Sequence, residues 1–357
     1  TSADSTVPIL TRIIHRDPLI DASDAPTAGS YANKSGADVD AIVGAPATDD
    51  IYGRAWTKGA YDIGCFKTEH PRLSTYQTLD EVYVAADGSD SAAGNTEATA
   101  LATVEEAMWR IRPHGVCHIG PGLYASGLVG ADAEGICIRG AGPDRTVLVG
   151  PGTNLVNHAA FYIASSNVVL MGCAFSNATC GVVNQNDEVC GTYPSATNCW
   201  FVGNRVGFRQ YGYGHQMGFA TWAQLFSRCQ FVGNAYYGIM VNKRSIFESC
   251  LLARNGTGGY YMKSHDRDAQ HRFLNCTIAG NGSYGIHKTT GNNAQLAVRN
   301  SIIADNPKGV YPGNSGSVNW QYTLFDNPVN EVYDGKDSTF TGMTASCITN
   351  KPVCFKG

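Results

Sequence analysis

Between about residues 170 and 310 the apolar positions alternate over short runs, as in Phe247-Glu-Ser-Cys250-Leu-Leu252 and Ala297-Val-Arg-Asn-Ser301-Ile-Ile303. Alternation with a period of two marks strands that bury one face, and no helical spacing of useful length interrupts it. The strands belong to a repeat, visible when Cys173-Ala-Phe175-Ser-Asn177, Cys199-Trp-Phe201-Val-Gly-Asn204, Cys229-Gln-Phe231-Val-Gly-Asn234, Cys250-Leu-Leu252-Ala-Arg-Asn255, Cys276-Thr-Ile278-Ala-Gly-Asn281 and Ser301-Ile-Ile303-Ala-Asp-Asn306 are aligned. A small residue leads, an apolar one follows two places on, then Asn, then a Gly-apolar pair such as Gly238-Ile239 or Gly285-Ile286. The lead residues recur every 21 to 30 positions, a period that signals a solenoid whose repeats cover one another's apolar edges. Strands this short, with Asn and Gly at fixed offsets, predict coils of a parallel β-helix with stacked Asn side chains at a turn. Both residue types tolerate the left-handed backbone that such corners need. The longer excursion over 209–224 is expected to be a loop on one face.

Flanking segments extend this picture. Thr103 and Glu106 form a capping box, and Val104, Ala107, Met108 and Ile111 an apolar stripe, so a helix over 103–111 is expected to cover the open end of the first coil. Segments 116–124 and 135–148 read as the first coils. Gly140-Ala-Gly142 is not followed by a helical pattern, which argues against a dinucleotide site. The repeat fades through 318–325. The division is therefore an extended segment at 1–80, the solenoid at 81–325 and an irregular segment at 326–357.

Two phrases near the start, Asp17-Pro-Leu-Ile-Asp-Ala-Ser23 and Asp50-Ile-Tyr-Gly-Arg54 followed by Gly59-Ala-Tyr-Asp-Ile-Gly-Cys-Phe66, carry a resemblance. They resemble the closing segment of right-handed parallel β-helix repeat proteins, the pectate-lyase-like superfamily that also includes phage tailspikes and surface β-helix proteins. Ala55-Trp56 stands where that family has Pro-Arg, and Cys65 where it has Ala. The stretch from Val82-Tyr-Val-Ala-Ala-Asp-Gly-Ser-Asp90 to Ile111 is similar to the family's opening. The resemblance implies an all-β, single-stranded, right-handed parallel β-helix with a short capping helix. The closing phrase stands at the front of this chain, so it is expected to pack on the C-terminal coils around 310–354, on a neighbouring subunit in preference to its own, with Ile20, Ile51, Tyr61, Ile63 and Phe66 as buried anchors.

Composition narrows the class. Charged residues make up 16% of the 357 and Gly numbers 41, as suits a turn-rich β architecture. A net charge of −4 and a pI near 6.1 argue against a nucleic-acid partner, and no run of about 18 apolar residues predicts membrane insertion. The chain begins at Thr1 without an apolar leader, which leaves a removed signal peptide and a trimmed Met as alternatives. Five of the 12 Cys share one register at an inward strand position where Ser301 substitutes, so they are expected to be packed free thiols. Cys180 with Cys190, and Cys347 with Cys354, lie off that register and are the disulfide candidates.

Chemistry has one candidate stripe. After the Gly-apolar pairs, the outward positions are expected to hold Arg209, Tyr211, Lys243, Arg244, Tyr261, His287 and Lys288 on adjacent coils. Of these, Arg209, Tyr211, Lys243, Tyr261 and His287 are the candidate carbohydrate-binding residues, with Tyr236, Tyr237 and Tyr260 as further aromatics. The densest cluster, with Lys263, His265 and Arg267, is the candidate catalytic group, because a polysaccharide lyase needs a base beside a neutralised carboxylate. No Asp pair or triad recurs on neighbouring coils, so no cofactor is expected and calcium is not indicated. The favoured expectation is a non-enzymatic assembly protein of a virion or cell surface. Its expected partners are copies of itself, other coat proteins or a polysaccharide. The alternative is a lyase or epimerase acting on an acidic glycan.

Overall fold

The computed structural model describes residues 77–125, 130–131, 133–153, 159–163, 165–185, 193–211, 223–241, 243–262, 270–288, 295–311, 318–331 and 346–349. The description below concerns the unit formed by residues 79–357. Its strands stack into three sheets of ten, ten and nine, each coil contributing one strand to each, with every neighbouring pair among the described residues parallel. A coil such as Ser245–Glu248, Leu251–Ala253 and Gly258–Met262 runs through the first, second and third sheets in turn. Stacking continues past residue 325: Val329–Glu331 pairs with the third-sheet strand Lys308–Tyr311, and Ile348–Thr349 with Leu324–Asp326.

Two corners are tight, and the repeat's small residues build both. Between the first and second sheets one residue takes positive φ, as Asn198 (50°), Arg228 (52°), Ser249 (53°) and Asn275 (55°) do. The next residue is the lead Cys. Cys199, Cys229, Cys250 and Cys276 are buried and unbridged, and each donates its S–H to the carbonyl two residues back, at 3.3–3.4 Å. Ser301 and Thr323 make the same bond with their hydroxyls at 2.8 and 3.0 Å, so the column selects small side chains that can donate backwards. The column faces inward, as expected, and stands at a corner instead of on a strand. Burial, with the neighbouring Cys199 thiol second, holds Cys173 well above the usual thiol range.

Between the second and third sheets stands the Asn ladder. The backbone N–H groups of Asn204, Asn234, Asn255, Asn281 and Asn306 each donate to the side-chain oxygen of the next Asn at 3.0–3.1 Å. Each side-chain amide also reaches a carbonyl of the second sheet, as Asn255 Nδ2 reaches Phe231 O at 3.0 Å. Inside, Phe175, Phe201 and Phe231 stack at 5.4 and 4.6 Å, and Phe226, Phe247 and Phe273 at 5.1 and 4.7 Å.

The helix forms at Val104–Arg110, with Thr103 Oγ1 accepting from Glu106 N at 3.1 Å. Only half of the expected capping box exists. Asp90 accepts the Thr103 N–H at 3.0 Å, while the Glu106 carboxylate pairs with Arg110 at 2.8 Å. Val104, Ala107 and Met108 are buried in the core of the first coil.

The disulfide expectation is corrected. Cys180 and Cys347 carry free thiols. Cys180 is buried on the outward face of the third sheet with Ala159, Tyr162, Val183 and Val206 in a satellite apolar cluster. Its expected partner Cys190, like Cys354, lies outside the described residues, as do Ile20, Ile51, Tyr61, Ile63 and Phe66.

Candidate functional site

The third corner, where the chain leaves the third sheet for the first, carries the connections of variable length, and the third sheet leads into it. Alternation along these strands puts Phe208, Ile239, Tyr260, Ile286 and Val310 inside, in one register. Their neighbours point outward as a second column of Val183, Arg209, Met240, Tyr261, His287 and Tyr311. A third column, three residues before the second and set off from the core column by the repeat glycine, is outward too: Cys180, Val206, Tyr237, Gly258, Tyr284 and Lys308.

Aromatic side chains from these two columns merge into a strip. Ring centroids of Tyr237 and Tyr261 are 4.9 Å apart, those of Tyr261 and His287 5.0 Å, and those of His287 and Tyr311 5.3 Å. Tyr284 stacks on His287 at 4.5 Å, and Tyr236 meets Tyr237 edge-on at 4.7 Å. Tyr261, Tyr284, His287 and Tyr311 are half-buried, and Tyr236 is exposed.

One glycine makes the geometry possible. Tyr237 spans two coils to reach His287, its hydroxyl hydrogen-bonded to Nδ1 at 3.0 Å. Its ring lies over Gly258, where a Cβ would come within 2.7 Å of Tyr237 Cε1. Gly258 breaks the outward column so that the ring can lie flat.

The strip's polarity follows from burial. Desolvation, and after it the neighbouring tyrosines, raises the Tyr237 hydroxyl above its ordinary range, and burial likewise raises that of Tyr261. Burial first and Lys308 second lower His287. The strip therefore meets a ligand with neutral hydroxyls and a neutral imidazole near pH 7. Lys308 Nζ lies 5.2 Å from the Tyr284 ring centre, a cation–π contact. Further along, Arg209 lies against Cys180, whose thiol burial pushes up to about 11 against the opposing pull of that guanidinium.

The sequence-predicted residues divide. Tyr261 and His287 come together in the strip, and Arg209 shares their column. Tyr211 ends the strand Val206–Tyr211, its side chain outside the described residues. Lys263, His265 and Arg267 also lie outside them. Lys243 corrects the expectation of an outward position: it is 7% exposed, its backbone N–H donates to Gln210 Oε1 at 3.1 Å, and its ammonium lies 5.7 Å from the Tyr193 ring centre. Lys288 is wholly buried as well, and burial lowers it to about 8. Tyr260 belongs to the core. Sequence reasoning missed Tyr284, Tyr311 and Lys308, although Tyr284 and Lys308 each immediately precede a repeat glycine, as Tyr237 does.

Among the described residues no group of three or more His, Cys, Asp or Glu has the geometry of a metal site. A cavity of about 330 Å³ opens on the first sheet, lined in part by Arg272, Gln295, Arg299 and Asn319.

Comparison with known proteins bears on the architecture. Residues 214–327 match the family model described as right handed beta helix region, and the fold superposes on pectate lyase Pel9A with a TM-score of 0.52 at 14% identity, over 76% of this chain and 83% of that one. The chain is a right-handed parallel β-helix protein. Pectin methylesterase PemA from Erwinia chrysanthemi gives a TM-score of 0.46 at 10% identity, over 77% and 93% of the two chains. No curated relative matches this β-helix in sequence. At these identities the likeness concerns the fold, and a site on this β-helix has to be argued from its own residues.

Proposed function

We propose that this β-helix is a rigid surface protein, of a virion or a cell exterior, that binds a polysaccharide on the outward face of its third sheet and does not cleave it. One observation carries the reading: the ladder of Tyr261, His287 and Tyr311, one half-buried ring per coil at 5.0 and 5.3 Å, on a face turned away from the core. Aromatic rings with polar tips suit a ligand whose sugar faces are apolar and whose edges are hydroxylated. They lie on short strands held on both sides by neighbouring coils, so little ordering is needed on binding. No acid and base stand together on the strip among its described residues.

The test is a polysaccharide panel, neutral and acidic, read by affinity electrophoresis with the full chain and with Tyr261→Ala. Retardation by at least one polysaccharide, weakened about tenfold or more in the variant, is the expected result. Equal mobility of both proteins on every gel would remove the reading.

A second reading, a lyase or epimerase on an acidic glycan, is favoured by one feature. Lys263, His265 and Arg267 follow directly on Gly258–Met262, the strand that carries Tyr261. Release of unsaturated sugars, abolished by Lys263→Ala, would establish it in place of binding alone.

A further inference from the structure

The direction and charge of the strip say more than its aromatic character. Coils of a β-helix rise by about 4.8 Å, the spacing of neighbouring strands, and from Tyr261 to Tyr311 the rings follow that rise at 5.0 and 5.3 Å, while Tyr237 reaches across a coil to within 6.3 Å of His287. Along the axis, a ligand meets a partly exposed ring on each of three coils, Tyr261, His287 and Tyr311, whereas Tyr237 is only 3% exposed. Across it, along a single strand, it meets at most Tyr284 and His287, with Gly285 and Ile286 between them. The rise per coil is also close to the length of one pyranose unit in an extended chain.

Charge adds a second constraint. In the two outward columns, Arg209 and Lys308 are cations, and no Asp or Glu stands in either column among the described residues between 180 and 311. The chain as a whole has 30 acidic against 26 basic residues, so this face departs from the protein's overall sign. Lys308 closes one end of the ladder over Tyr284, and Arg209 stands beyond the other, one coil before Tyr237. Charges arranged in this way favour an anionic partner and give a neutral one nothing.

We infer, building on the reading of the strip as a glycan platform, that its ligand is an acidic polysaccharide lying along the solenoid axis with one sugar per coil across three coils. Its rings rest on the ladder and its acidic groups face Lys308 and Arg209.

The experiment is isothermal titration of the full chain with oligosaccharides of two to eight units from three acidic series, oligomannuronate, oligogalacturonate and hyaluronan fragments, and from neutral β-mannan. In the best acidic series the affinity should rise at least threefold per added sugar up to three units, and level off by six. Neutral oligomers of equal length should bind at least fivefold more weakly. Lys308→Ala should narrow that gap to less than twofold, and Tyr261→Ala should weaken every length above three. A dimer that binds as tightly as an octamer overturns the axial placement, and neutral oligomers that bind as well as acidic ones overturn the charge assignment. Both results leave the platform intact so long as Tyr261→Ala weakens binding. Absence of binding in all four series overturns the inference, and the platform falls with it only if the broader panel above is also negative.

Discussion

His271 is the least expected side chain in this molecule, because the imidazole is wholly buried inside the solenoid, with Nδ1 hydrogen-bonded to the Tyr260 hydroxyl at 2.6 Å and Nε2 without a partner. Burial first, then Lys288 and Arg244, lower its pKa from the ordinary value near 6.5 to about 3. The unfolded chain therefore takes up a proton before the folded one does. Stability from this group is fully present above about pH 6.5 and is lost as pH falls from there towards 3. The loss should reach on the order of 3–5 kcal/mol. Urea unfolding at pH 7 and pH 4.5 checks this, with His271→Gln expected to flatten the pH dependence; identical slopes in the two proteins would contradict it. The same scale explains what the sequence hid. Lys243 and Lys288 were expected outside, yet counting in twos from Ile239 and Ile286 puts both inside. Alternation was legible at these positions, although a Lys is seldom buried. Polar interior groups at this corner, among them Gln210 and Gln224 joined at 2.7 Å, make the exception tolerable.

At the scale of elements, the corners hold the repeat together more than the strands do. Strands of three residues such as Leu251–Ala253 are too short to fix their own register, and the Asn ladder fixes it for them. Asn255 donates to Phe231 O and to Asn281 Oδ1, and accepts from the backbone N–H and the side-chain amide of Asn234. Truncation to Ala leaves buried donors and a buried carbonyl unpaired, so Asn255→Ala should cost about 2–3 kcal/mol. Arg254→Ala, one residue away on the exposed side of the same corner, should stay within about 0.5 kcal/mol. Denaturation midpoints that shift equally for the two would show that the ladder is not what stabilises the turn. This element was readable from residue spacing alone, since Asn at a fixed offset has few other uses in a solenoid. The thiol corner was half readable: register and burial followed from the repeat, whereas the corner placement depends on a positive φ carried by Arg228 and Ser249 as well as by Asn198 and Asn275, so residue type marks it only in part. The helix cap was legible through Thr103, but its second partner, Asp90, comes from a loop 13 residues away in the chain.

Across the whole molecule, a β-helix converts a sequence repeat into straight columns, and a column can carry function only where its side chains turn outward. Core columns of Phe are fully committed to packing. The third sheet's outward columns change character along the axis, from the closed apolar patch around Cys180 to the open rings between Tyr261 and Tyr311. This change is what separates a binding face from a second core, and it became visible only when strands far apart in the chain were brought into register. Tyr237 and His287 are 50 residues apart, and the reach between them depends on Gly258, a position with no chemistry of its own. The most direct test of the account is an electron-density map of the protein crystallised with an acidic hexasaccharide. The predicted result is sugar density over Tyr261 and His287, running across successive strands of the third sheet; an ordered saccharide seated only in the first-sheet cavity beside Arg272 and Arg299 would contradict it.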